Sequence, residues 1–186
     1  MKKLSLILIC LLAGAFFLGC EPKTSPPDLP VVTPSQDDPD LMICDSAVPK
    51  PDRIVVFDEG SERTIEPGSE EFENIWLAVH NTVNGNEREF LEGDLNSQNI
   101  ADAKQEGRCF EFLYDHQYTS EKFGSRFRGL FFEFSSLETL VFGYYKLDED
   151  GQEPLPDDEL GIIFYSSLYA VYDTDSVEEL ETVLFG

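Results

Sequence analysis

The side chains able to do acid–base or nucleophilic work are few and poorly spaced for it. The chain of 186 residues holds 2 histidines, His80 and His116, and 4 cysteines. A serine or cysteine nucleophile needs a base within hydrogen-bond reach. Cys109 and His116 stand an odd number of residues apart in an alternating run, which sends them to opposite faces of a strand. His80 follows Trp76 by one helical turn at the margin of an apolar stripe, where a structural role is expected. No G-x-S-x-G, H-E-x-x-H or P-loop pattern occurs. The run Asp148-Glu149-Asp150-Gly151-Gln152-Glu153 is acidic enough to attract calcium. Its glycine comes fourth rather than sixth, so an exposed loop with an Asp-Gly turn is expected there instead of an EF-hand. The 37 acids offer many accidental carboxylate pairs and single out none. No catalytic residue, metal ligand set or cofactor is therefore assigned.

The remaining chemical signal is aromatic. Residues 110–172 hold most of the 15 phenylalanines and all 7 tyrosines. A phenylalanine core with tyrosines at its margins accounts for most of them. The alternative is a concave face on which Tyr114, Tyr118, Tyr144 and Tyr165 stand exposed together, binding a peptide, a sugar or a lipid fragment.

The N-terminal stretch sets the chain's location. Lys2 and Lys3 precede an uncharged run, Leu4–Leu18, that as a helix reaches only about 22 Å, short of a bilayer core. Glu21 and Pro22 follow with no basic stop-transfer cluster, so the run reads as a secretory signal rather than a membrane span. Its end, Phe17-Leu18-Gly19-Cys20, resembles the lipobox of bacterial lipoproteins. The resemblance implies cleavage after Gly19 and lipid on the sulfur of Cys20, which becomes the new N-terminus. Two or three acyl chains there would give stable anchoring. Glu21 is not the aspartate that often signals inner-membrane retention, so the expected location is the cell membrane or the outer membrane, facing away from the cytoplasm. Beyond residues 1–20 the chain resembles no family.

Charge narrows the partners. The net charge of −24 becomes −26 once Lys2 and Lys3 leave with the signal. Nucleic acid is a poor partner for such a surface. Cys10 lies in the discarded segment and Cys20 carries lipid, which leaves Cys44 and Cys109. In an oxidising exterior such a pair suggests a disulfide, worth about 4 kcal/mol for a loop of that length. The alternative is two thiols, as in an anaerobe.

Three segments follow: 1–19 as signal peptide, 20–52 as a lipidated cysteine and proline-rich disordered tether, and 53–186 as one domain. The tether reading rests on Pro22, Pro26, Pro27, Pro30, Pro34, Pro39, Pro49 and Pro51, which suit an extended spacer. Leu41–Cys44 is the apolar patch in it and is expected to dock on the domain. In the domain, Arg53–Asp58 and Arg63–Glu66 read as a short hairpin. Ser69 is placed to cap a helix whose stripe is Phe72, Ile75, Trp76, Val79 and Val83. A short helix from Ser97 through Glu106 precedes four strands, at Arg108–Tyr118, Arg126–Phe134, Leu140–Leu147 and Gly161–Tyr172. Alternation in the second places Arg128, Leu130, Phe132 and Phe134 on one face. Ser176 and Glu179 suggest a capping box for a final helix. The expected class is α+β: a largely antiparallel sheet of four main strands plus the N-terminal hairpin, with helices packed on one face.

The functional expectation is a membrane-anchored extracytoplasmic lipoprotein whose domain binds a protein, a peptide or a cell-wall component without catalysing a reaction. The alternatives are an envelope hydrolase with a carboxylate-based site and a structural accessory subunit of an envelope complex.

Overall fold

The computed structural model describes residues 29–120, 124–135 and 139–186. The signal segment, the lipobox and Cys20 lie outside the described residues. The elements in chain order are β1 (Val32–Pro34), β2 (Leu41–Cys44), β3 (Arg53–Asp58), β4 (Ser61–Ile65), α1 (Glu70–Gly85), β5 (Glu89–Asn96), α2 (Ser97–Glu106), β6 (Arg108–Ser120), β7 (Arg126–Ser135), β8 (Thr139–Lys146), β9 (Phe164–Val171) and α3 (Thr174–Phe185). They form an α+β fold: three helices on a nine-stranded, mostly antiparallel open sheet.

The long strand β6 is the hub. One edge pairs with β7, and the sheet continues through β8 and β9 to β5. The other edge is shared. Its first half pairs antiparallel with β3, from Asp58 opposite Arg108 to Arg53 opposite Leu113. Its second half pairs parallel with β2, from Leu41 opposite Gln117 to Cys44 opposite Ser120. β1 and β4 lie outside β2 and β3.

The helices begin where polar caps allow. The Ser69 hydroxyl accepts from the Phe72 amide at 3.1 Å, and Glu70, Glu71 and Glu73 fill the positive first turn of α1. The stripe Phe72, Ile75, Trp76, Val79 and Val83 is buried as its spacing requires. Asn96, one residue before the expected cap, starts α2. Its side chain accepts from Gln98 and Asn99, and the Asn99 side chain accepts from the Asn96 amide. α3 is capped three residues before the expected Ser176, by Asp173, whose side chain accepts from the Ser176 amide.

Helices pack on both faces of the sheet, which corrects the single-face expectation. α1 and α3 cover the larger core, built on Phe110, Phe112, Phe127, Leu130, Phe132 and Phe142. α2 covers a smaller one, where Ile100 and Ala103 meet Val55, Phe57, Leu95, Cys109 and Phe131. Double-sided burial is why Ile54-Val55-Val56-Phe57 is apolar without a break.

The proline-rich stretch is also corrected: residues 31–52 belong to the fold. Proline forbids a helix and a central strand but tolerates an edge strand or a turn. Pro34 ends the edge strand β1, and Pro39 sits in the turn before β2. The strap after β2 is fastened along its length. Ala47 donates its amide to Asn84 Oδ1 at 3.1 Å. The carbonyls of Ala47 and Pro49 accept from the Tyr144 and Tyr114 hydroxyls. His80 Nδ1 lies 3.2 Å from the Val48 carbonyl and 3.3 Å from Ser46 Oγ, so its role here is structural.

Leu41–Cys44 docks on the domain, but a bond between Cys44 and Cys109 is excluded by register. Cys44 sits opposite Ser120 at the far end of β6 from Cys109. At the rise of an extended strand this separates them by about 30 Å along the sheet, against less than about 7 Å between the Cα atoms of a disulfide. They also pack in different cores, on opposite faces.

Candidate functional site

The proposed tyrosine face does not form. Tyr114, Tyr118 and Tyr144 are buried in the larger core beneath the helices, while Tyr165 packs against the smaller core on the opposite face. The rings of the first three gather on Phe127 at 4.9–6.2 Å between centroids, Tyr114 and Tyr144 edge-on and Tyr118 stacked. Burial pushes the Tyr114 and Tyr144 phenols well above their ordinary value. They are core residues whose hydroxyls hold the strap.

The chemically distinctive place is a cleft of about 480 Å³ on the α2 face. It opens because α2 is only ten residues long and covers part of a face as wide as the sheet. Beside α2 the cleft floor is crossed by a row of paired residues, Arg53 on β3, Leu113 on β6 and Gly129 on β7.

Two ladder irregularities converge there. β7 carries an extra residue against β8 between Phe127 and Leu130. β6 carries extra residues against β7 between Leu113 and Tyr118. The first bulge lets both Phe127 and Leu130 face the larger core. It thereby turns Arg128 out of the face it was expected to share with Leu130, and Arg128 lines the cleft. Gly129 is required by packing: a Cβ there would stand 2.5 Å from the Tyr145 ring and 3.2 Å from the Phe112 carbonyl oxygen.

On the floor, Glu111 is a buried carboxylate with two donors. Lys104 Nζ of α2 reaches its Oε1 at 2.6 Å, and the Tyr145 hydroxyl donates to the same oxygen. Lys104 also lies over the Phe57 ring at 4.4 Å. The Tyr145 ring meets Tyr165 edge-on at 5.0 Å. Burial first, then the Glu111 charge and their hydrogen bond, hold the Tyr145 phenol above its ordinary value. Tyr165 is raised by burial and then by Glu153. Next to Glu111 on the same strand, burial pushes the Cys109 thiol up to about 12, which keeps it protonated and unreactive at neutral pH.

Arg53, Arg128 and Lys146 complete the lining and are exposed. Of these groups sequence reasoning had singled out Tyr165 for a binding face but missed Arg53, Lys104, Glu111, Arg128, Tyr145 and Lys146, because pairing across several strands and a bulge assembles them. The one local signal was Glu111 itself, an acid between Phe110 and Phe112 on a strand buried on both faces.

Among the described residues no group of three or more His, Cys, Asp or Glu side chains is placed to hold a metal ion. Also among the described residues, no helix is long and apolar enough to cross a membrane. No protein family, curated protein or solved structure matches the chain.

Proposed function

We propose that this chain is a lipid-anchored extracytoplasmic binding protein. Lipid on Cys20 holds it to the cell membrane or the outer membrane. The domain then presents the α2-face cleft to a ligand that it binds and does not transform. The partner is a protein, a peptide or a cell-wall component, and the acidic surface turns nucleic acid away.

The observation that carries the binding reading is the pairing on the cleft floor. Lys104, Glu111 and Tyr145 satisfy one another, so the only buried acid in the cleft already serves as a counter-ion. A general base needs a proton to take from a substrate, and a nucleophile needs a base beside it. The nearby thiol, Cys109, is buried and protonated. A concave, partly apolar site with a few polar groups and no activated pair is the form of a recognition site.

Two measurements test this. Cells expressing the full chain and fed labelled palmitate should label it, and Cys20→Ser should abolish the label. Crosslinking on those intact cells should capture a partner. Turnover of an envelope substrate by the purified full chain, with no partner captured, overturns the reading.

A further inference from the structure

The described basic residues of this acidic chain fall into unlike groups. Lys50, Arg63, Lys104, Arg108 and Arg126 each hold a carboxylate at 2.6–3.1 Å. Arg53, Arg128 and Lys146 hold none within 4.0 Å among the described residues, and all three line the same cleft. With 37 acids against 13 bases, a cation that finds no acid is one the sequence has kept apart. Besides Glu111 the cleft is lined by one further acid, Glu153, whose charge acts on Tyr165. Counting the Lys104–Glu111 pair as neutral, the cleft carries three positive charges against one negative, within a molecule of net charge −24.

We infer that the cleft binds a small organic acid, its carboxylate or phosphate held by Arg53, Arg128 and Lys146 and its apolar body laid against Leu113, Ile100 and Tyr165. This rests on the binding reading above and adds to the partner named there the chemistry that the cleft itself takes, an acid group beside an apolar body. Two guanidinium groups offer planar forks that match either acid, in bidentate fashion. The negative field of the rest of the molecule is screened beyond about 8 Å at physiological ionic strength, so contact distances decide. The ion pair on the floor has a part as well. Because Lys104 already neutralises Glu111, that carboxylate does not repel an incoming anion. The volume lies within the range of small-molecule sites.

The test is titration calorimetry on the full chain in mild detergent with four probes: benzoate, phenyl phosphate, inorganic phosphate and benzyl alcohol. Saturable binding of benzoate or phenyl phosphate is expected, at least tenfold tighter than inorganic phosphate. Benzyl alcohol should bind at least tenfold more weakly than either. The preferred acid group, carboxylate or phosphate, follows from the first two arms. The double variant Arg53→Gln/Arg128→Gln should lose at least tenfold in affinity, and Lys50→Gln, which pairs with Glu73 of α1 and does not line the cleft, should lose none. Thermal melts confirm that both variants fold. Equal binding of benzyl alcohol, or no loss in the double variant, overturns the inference and leaves the binding reading standing. Silence from all probes while the double variant still captures the crosslinked partner does the same. Silence from all probes with no partner captured overturns both.

Discussion

On the α1 and α3 side, the strands present Phe110, Phe112, Phe132 and Phe142, all fully buried. On the α2 side, the same strands present Glu111, Leu113, Arg128 and Tyr145 around an open cleft. The difference begins with the helices. α1 and α3 each lay down a stripe of large apolar side chains, whereas α2 contributes Ile100 and Ala103. At about 2 kcal/mol for a fully buried large aliphatic or aromatic side chain, the eight such residues of α1 and α3 outweigh the single isoleucine of α2 several-fold. One face carries the stability and leaves the other free to hold charge, polar pairs and empty volume. A domain of this size has a single sheet with which to meet both demands, and it divides them between the two sides.

The sharpest way to break this contrast is to damage the closed face. Phe132→Ala removes a ring stacked on Phe110 at 4.6 Å and should cost about 3–5 kcal/mol, read from the midpoint of urea unfolding. Loss under 1 kcal/mol would mean that the aromatic core is not the seat of stability.

Alkaline titration comes next. Tyr114 and Tyr144 on the closed face and Tyr145 on the open one all have raised phenols. A group whose pKa is raised by folding binds its proton more tightly in the native state. Its contribution is therefore complete below the unfolded value of 10.0 and falls as pH rises above it. Each such tyrosine should remove about 1.4 kcal/mol per pH unit above that point. Phenolate absorbance should accordingly appear in one cooperative step with loss of helical circular dichroism. Gradual ionisation of these tyrosines in a still-folded chain would contradict their burial.

On the open face, Lys104→Met leaves Glu111 buried with Tyr145 as its remaining donor. It should cost about 2 kcal/mol, because Lys104 is itself partly solvated. The smallest effect belongs to the cleft margin. Arg53→Gln removes an exposed charge that has no carboxylate partner among the described residues and should shift stability by less than about 0.5 kcal/mol in the same urea assay. A larger loss would make Arg53 structural and weaken its assignment to a ligand.

The closed face was largely legible in the sequence. The stripe of α1 follows from its spacing, and the alternation in Arg108–Tyr118 places Phe110, Phe112 and Tyr114 together, as found. The open face was not. Unbroken apolar runs such as Ile54–Phe57 signal burial on both sides, yet one hairpin reading satisfies them equally well. The strand β5 carries little apolar pattern, since it is a sheet edge that buries only Leu95. Arg128 was assigned to the wrong face because alternation assumes an unbroken ladder, and the bulge beside it breaks the count. Prolines marked 20–52 as a spacer because composition reports what proline forbids. It does not report that Tyr114, Tyr144 and Asn84 wait elsewhere in the chain to fasten residues 47–49.

That fastening also bears on mechanics. In the proposed anchored state, any pull between membrane and domain enters through residue 31. The ten residues from Glu21 to Pro30 allow a contour of at most about 35 Å. Under tension β1 yields first: its three residues are exposed and it is held to the sheet by a three-residue pairing with β2. Peeling back to Asp40 adds another ten residues and roughly doubles the reach. The force then meets Leu41 and Cys44, seated in the sheet, and the strap behind them. The β1–β2 pair is thus a short length of slack with a hard stop, paid out before either core is loaded.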